Sequence, residues 1–210
     1  MVTGSRALGV VDYGSGNLRS VCKALEAVGG TVAIVTQAAQ LDTIDALVVP
    51  GVGAFGDCAA NLQRSALWEP VKEWLKAERP YLGICLGYQL LFESSEESPG
   101  SKGLGILPGR VVRFARKGLK VPHIGWNTLS DTRGPLYETL PTAPYFYFVH
   151  SYYPVPARND LISARCIYGE AFAASVSTRN LHATQFHPEK SQSSGLTMLG
   201  NFLGTLNSKS

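Results

Sequence analysis

Cys85 closes one apolar run, Tyr81-Leu82-Gly83-Ile84, and opens another, Leu86-Gly87-Tyr88-Gln89-Leu90-Leu91, with a glycine two residues to either side. A strand that turns sharply into a helix at such a G-x-C-x-G elbow lifts the side chain between the glycines out of the sheet. Gly83 and Gly87 leave no Cβ where neighbouring backbone must pass. The first N–H groups of the new helix, and its positive end, would face the sulfur and favour thiolate. A buried cysteine serving as a small apolar side chain is the commoner fate of a thiol. The elbow by itself leaves both readings open.

A nucleophilic thiol needs a base, and the base needs a group that orients it. Gln185-Phe186-His187-Pro188-Glu189-Lys190 offers both at the end of a strand-like run. His187 can take the thiol proton and return it to a leaving amine. Glu189 can hold the imidazole in one tautomer and stabilise its charged form. Without Cys85, His187 would read as an ordinary surface histidine. His182 and His187 stand five apart on a strand, so they point to opposite faces and cannot chelate. No metal site is expected. His123 and His150 sit among apolar and aromatic residues and suit a core or a cleft wall.

Attack on a carbonyl also requires donors for the oxyanion. The N–H of Leu86, directly after the nucleophile, is one. Pro50-Gly51-Val52-Gly53-Ala54-Phe55 is a glycine-containing loop able to present a second, from Val52 or Gly53. That loop lacks the Lys-Ser/Thr ending of a phosphate loop. Asp12-Tyr13-Gly14-Ser15-Gly16-Asn17 lacks the third glycine of a dinucleotide fingerprint, since Arg19 stands in its place. No cofactor is expected.

These residues need a frame that brings them together. The first half alternates strand and helix: strands over 8–11, 31–35, 46–49 and 81–84, and helices after Asn17, over 68–76 and over 86–93. Asn17 is expected to cap the first helix, whose apolar face is Leu18, Val21, Cys22, Leu25 and Val28, closed by Gly29-Gly30. Such alternation predicts an α/β fold with a mostly parallel sheet flanked by crossover helices. The second half reads as short β runs over 110–114, 123–127, 145–149, 161–168, 171–177 and 181–186, adding antiparallel strands. A last helix over 195–206 turns Leu196, Leu199, Phe202, Leu203 and Leu206 to one face. Residues 94–103 read as a surface loop beside the elbow. Ligands of such sheets bind beyond the carboxyl ends of the strands, where Cys85 lies.

The 210 residues, 45% hydrophobic and 17% charged, suit one globular domain over 1–210. A net charge of +3 without a basic cluster argues against nucleic acid. No apolar run approaches the ~20 residues of a membrane span. Met1-Val2-Thr3-Gly4-Ser5-Arg6 leads into the first strand without the long apolar stretch of a signal peptide. The four cysteines are read as thiols of a reducing cytoplasm, with Cys22, Cys58 and Cys166 structural.

Gly83-Ile84-Cys85-Leu86-Gly87 with Gln185-Phe186-His187-Pro188-Glu189 resembles the class I (triad) glutamine amidotransferases. The 12–17 and 50–55 segments narrow the likeness, together with Lys120-Val121-Pro122-His123-Ile124-Gly125-Trp126-Asn127, Phe148-Val149-His150-Ser151-Tyr152 and Lys190-Ser191. They are similar to the glutaminase subunits of imidazole glycerol phosphate synthases, over about residues 8 to 206. The resemblance implies a flavodoxin-like sheet and hydrolysis of the L-glutamine side-chain amide through a thioester on Cys85. It implies that Gln89, Glu97, Ser151 and Tyr152 hold glutamine, Glu97 facing the α-ammonium and the Ser151-Tyr152 N–H groups the α-carboxylate. It further implies a (β/α)8-barrel cyclase subunit of HisF type as heterodimeric partner, reached by Lys190. The cyclase would use the ammonia for imidazole glycerol phosphate and AICAR formation in histidine biosynthesis. Two departures, Tyr88 for a usual methionine and Ala183-Thr184 for Gly-Val, look like packing changes. The glutaminase component of anthranilate or aminodeoxychorismate synthase is the alternative within this chemistry, and His123 to Asn127 and Lys190 speak against it. A cysteine peptidase or γ-glutamyl hydrolase would share the elbow but need an open cleft. A catalytically dead binding module would not need Cys85, His187 and Glu189 intact.

Overall fold

Five runs short enough for strands and bare of Asp, Glu, Lys and Arg pair side by side as the parallel part of the main sheet. In the computed structural model, which describes residues 7–14, 16–115 and 118–207, β1 (Ala7–Val11) is followed by α1 (Leu18–Ala27) and β2 (Thr31–Val35). The segment 1–6 read for a leader, and Ser15 of the 12–17 segment, lie outside the described residues. The chain continues through β3 (Ala46–Val49), α2 (Phe55–Arg64), α3 (Trp68–Lys76), β4 (Tyr81–Ile84) and α4 (Leu86–Gln89). Next come β5 (Ser94–Ser95), β6 (Gly109–Arg113), β7 (His123–Ser130), β8 (Tyr145–His150) and β9 (Tyr152–Pro156). The last elements are β10 (Ile162–Tyr168), β11 (Glu170–Ser177), β12 (Leu181–Thr184) and α5 (Gln192–Asn207).

The main sheet runs β2-β1-β3-β4-β12-β11-β10-β7-β8. β2 through β12 are parallel, and every later pairing is antiparallel. β3, β4 and β12 are buried at every position, as strands covered on both faces must be. β8 alternates instead, with Phe146, Phe148 and His150 inward. The expected parallel sheet with antiparallel additions is what forms.

Several expectations need correction. α2 was not anticipated, although Phe55, Cys58, Ala59 and Leu62 fall on one buried face at helical spacing. The helix expected over 86–93 stops at Gln89. Leu90, Leu91 and Phe92 are fully buried, and their carbonyls accept from the N–H groups of Leu104, Ile106, Leu107 and Gly105 in the returning chain. The 110–114 run joins a separate small sheet, β5-β6-β9, rather than the main one. That sheet also draws Ser94 and Ser95 out of the expected loop. On α5, Leu196 is exposed, and buried Met198 takes an inward position beside Leu199 and Phe202.

Register is what assembles the site. Ala183 and Thr184 pair with Gly83 and Ile84, while Val49 pairs with Gly83 from the other side. The segments that leave β3, β4 and β12 therefore emerge next to one another, at the carboxyl end of the parallel strands.

Candidate active site

Cys85 adopts φ 54° and ψ −102°, a left-handed conformation that a residue with a Cβ rarely holds. Its N–H is secured by the Thr184 carbonyl at 2.8 Å, and its own carbonyl accepts from Tyr88 and Gln89. The close approach demanded by the elbow falls on Gly87. A Cβ there would lie 1.8 Å from the Val49 carbonyl oxygen. With only four residues, α4 contributes a short dipole, so backbone geometry does more than the helix to place the sulfur.

His187 follows β12 by three residues, and its N–H is held by the Tyr147 carbonyl. Its Nδ1 lies 2.7 Å from Glu189 Oε1, and both side chains are withdrawn from solvent. That contact directs Nε2 toward the cleft, where it is buried with no hydrogen-bond partner among the described residues. Burial alone would depress the imidazole's pKa. The Cys85 sulfur and the Glu189 carboxylate together outweigh it and raise the pKa. Cys85 and His187 thus interact directly, in a contact that is loose before substrate tightens it. The other thiols have no such neighbour. Burial pushes Cys58 up to about 11 and Cys166 up to about 12, leaving both protonated, and all four cysteines are free.

Val52, Gly53, Cys85, Leu86, Gln89, Glu97, Ser151, Tyr152 and His187 line one cleft of about 130 Å³, together with Val149 and His150. Its lining mixes apolar wall with a few convergent polar groups, as small-molecule sites do. Every expected oxyanion and glutamine-holding residue is therefore on its wall. A larger cavity of about 230 Å³ sits at the opposite end of the strands, among Glu78, Arg79 and Asn180, without a nucleophile or a base.

Details within the cleft depart from expectation. The Leu86 N–H is directed at the Gly51 carbonyl at 3.4 Å instead of standing open. The 50–53 loop is anchored by Tyr13, whose hydroxyl donates to the Pro50 carbonyl, and by Cys58, whose thiol donates to the Val52 carbonyl. Glu97 Oε2 accepts from the Phe55 N–H at 2.7 Å, so part of this carboxylate caps α2. Gln89 donates from Nε2 to the Tyr152 carbonyl and to Gln185 Oε1, each at 3.1 Å. Both partners only accept there, so Gln89 Oε1 remains as an unpaired, buried acceptor. Tyr88 is fully buried, and neither it nor Ala183 or Thr184 lines the cleft.

Gln185 had no assigned role in the sequence, and several other residues take partners that it did not reveal. Gln185 lies just past β12, and its Nε2 is 3.6 Å from the Cys85 sulfur. His150 Nδ1 donates to the Tyr152 carbonyl at 2.9 Å, which leaves Nε2 to accept from His123 Nδ1 at 3.1 Å. His123 Nε2 faces Asn127 Nδ2 in turn. This chain is satisfied only by neutral imidazoles, and burial lowers the pKa of His123 to about 4 and that of His150 to about 3. Asn17 was expected to cap α1 and makes no side-chain cap bond; its Nδ2 donates to Glu189 Oε1. His182 lies under α5, bonded to Ser177 and away from the cleft. Lys190 is exposed, with its ammonium 5.9 Å from the Tyr147 ring and Trp126 and Tyr145 exposed nearby. Among the described residues no group of three or more His, Cys, Asp or Glu could hold a metal, and no helix is long and apolar enough to cross a membrane.

Residues 9–205 match the family model for glutamine amidotransferase class-I. The chain is 50% identical over 202 residues to the imidazole glycerol phosphate synthase subunit HisH of Nitrosococcus oceani, covering 94% of this chain and 96% of that protein. It is 46% identical over 196 residues to the subunit of the same name from Methanothermobacter thermautotrophicus, covering 93% and 97%. A crystal structure of a glutamine amidotransferase superposes with a TM-score of 0.74 at 22% identity, over 95% of this chain and 98% of that one. PurLQS from Thermotoga maritima gives the same TM-score at 20% identity, over 95% and 98%.

Proposed function

The chain belongs to the class-I glutamine amidotransferase family, and on that premise we propose how its cleft produces ammonia. It is the glutaminase subunit of an imidazole glycerol phosphate synthase, and it hydrolyses the side-chain amide of L-glutamine. The Cys85 sulfur attacks the amide carbon while His187 Nε2 takes the thiol proton. The resulting oxyanion is held by backbone N–H groups of Leu86 and of Val52 or Gly53. Collapse expels ammonia with the proton returned by His187 and leaves a γ-glutamyl thioester on Cys85. Water, deprotonated by His187, then cleaves the thioester and releases glutamate. Glu189 keeps the imidazole in the tautomer whose Nε2 faces the sulfur.

The observation that carries this reading is the buried His187 Nε2. It is orphaned on the cleft side while Nδ1 is held by Glu189, and it faces a sulfur on a strained elbow. Gln89 Oε1 and the part of Glu97 not spent on α2 would accept from the α-ammonium. The Ser151-Tyr152 backbone would donate to the α-carboxylate. A cleft this small favours a free amino acid over a glutamyl polymer or a protein chain.

Ammonia released here is used by a partner cyclase subunit in histidine biosynthesis. That partner is a (β/α)8 barrel of HisF type, bound as a heterodimer. Lys190 and the exposed aromatic side chains of Trp126 and Tyr145, with half-buried Tyr147, would meet it beside the cleft. Residues 1–210 act as one amidotransferase domain, working in the cytoplasm.

The test is to supply glutamine, a γ-glutamyl peptide and casein to the complex and assay ammonia. Mass spectrometry of acid-quenched protein follows the thioester. Turnover of glutamine alone, with a γ-glutamyl adduct on the Cys85 peptide, is expected. Turnover without any adduct, or preference for the peptides, would overturn the reading.

A further inference from the structure

Asn17 stands at the position where an asparagine ordinarily accepts a hydrogen bond from the first turn of its own helix. Its side chain does not do so. The backbone carbonyl of Asn17 accepts from the Ser20 and Val21 N–H groups, and the residue adopts φ 79°. That left-handed conformation turns the side chain away from α1 and toward the turn that follows β12. There Nδ2 donates to Glu189 Oε1, across 172 residues of sequence.

Glu189 has few other means of being held. Its side chain is without solvent exposure, and Oε1 accepts from both His187 Nδ1 and Asn17 Nδ2. Oε2 is buried with no partner among the described residues. The residue sits in a single helical turn, Pro188–Lys190, and α1 packs against that turn. Without Asn17 the carboxylate would keep one identified donor, the imidazole it is meant to orient. It could then turn about its last side-chain torsion, which is broad and softly restrained.

We propose that Asn17 is a positioning residue for the Cys85–His187–Glu189 set, fixing the Glu189 carboxylate so that Oε1 stays against His187 Nδ1. This rests on the reading of Glu189 as the orienting carboxylate given above. Asn17 touches neither substrate nor sulfur; it acts through Glu189. A local role would be confined to α1, either tolerating positive φ or capping the helix.

Two substitutions separate these roles. Asn17→Gly keeps the left-handed backbone and removes only the donor. Asn17→Asp keeps the shape and an equally good capping residue, but sets an acceptor against Glu189. Glutaminase kinetics are measured on the full chain with its cyclase subunit, and the thermal midpoint is measured beside them. Both variants are expected to lower kcat for glutamine, by about ten- to a hundredfold, as befits a lost hydrogen bond to a charged group. KM should move less than about twofold and the midpoint should hold. Asn17→Asp should be the worse enzyme. In a Glu189→Ala background, Asn17→Gly should change kcat by less than about twofold, because its route of action is gone.

Unchanged kcat in either variant would overturn the proposal. So would an equal loss in the Glu189→Ala background, or a loss that appears mainly in KM. None of these results touches the thioester chemistry, which stands or falls on the Cys85 adduct in the unsubstituted chain.

Discussion

The backbone N–H of Leu86 is directed at the carbonyl oxygen of Gly51, 3.4 Å away. A donor engaged in this way is not available to an oxyanion until the loop turns that carbonyl aside. Gly53, at φ +100° with open space where a Cβ would stand, gives the loop the freedom to do so. One missing oxyanion donor costs about 10²–10³ in rate. The isolated chain should therefore hydrolyse glutamine slowly, and the cyclase with its acceptor bound should raise kcat by at least about that factor. Glutamate release with and without the partner checks this. Full activity of the chain alone would show that the donor is already free.

Lys190 and Trp126 are both exposed beside the cleft, and neither lines it. Lys190→Ala should weaken binding of the cyclase, or its stimulation of kcat, while leaving the thermal midpoint unchanged. Titration of the partner by fluorescence anisotropy at two salt concentrations would read the loss, which should shrink at high salt for an ion pair.

Replacing Cys85 with alanine should abolish glutamine-dependent synthesis and leave ammonium-dependent synthesis by the complex intact. His187→Ala should cost nearly as much, because the two act as a unit. Glu189→Gln should be milder by roughly tenfold or more. Equal, small effects at His187 and Glu189 would remove both from the chemistry.

A Cβ at Gly87 would land on the Val49 carbonyl, inside the packed elbow. Gly87→Ala is expected to destabilise the fold by about 3 kcal/mol or to displace Cys85. Urea unfolding alongside glutaminase activity separates these, and a variant normal in both would contradict the packing described.

His123 and His150 remain neutral in the folded chain down to about 4 and about 3, because burial disfavours their charged forms. In the unfolded chain each takes up a proton near pH 6.5. Between those values the unfolded state holds more protons, so stability should fall as pH drops from about 6.5 toward 4. The slope is at most about 1.4 kcal/mol per pH unit for each histidine. Denaturant midpoints at pH 7, 6 and 5 check the slope, and His150→Gln should flatten it.

The elbow at Cys85, the strand-end pair His187 and Glu189, and the parallel half of the sheet were legible in the sequence because each is a local pattern. Charge-free runs of four or five residues mark buried strands, and a glycine two residues either side of a cysteine marks a tight turn. α2 was legible in the spacing of Phe55, Cys58, Ala59 and Leu62 but was masked by the glycine loop that runs into it. Other features were settled only by tertiary contact. The apolar stretch after Gln89 could have continued as helix, and it stops because residues 104–107 return to take its carbonyls. Asparagine at position 17 suits a helix cap as well as a reach across the fold, and only the packing of α1 against the 188–190 turn selects the reach. Whether the Leu86 N–H stands open depends on where the Gly51 carbonyl points. Peptide orientation in a loop is set by its anchors, here Tyr13 and Cys58, which no spacing along the chain reveals.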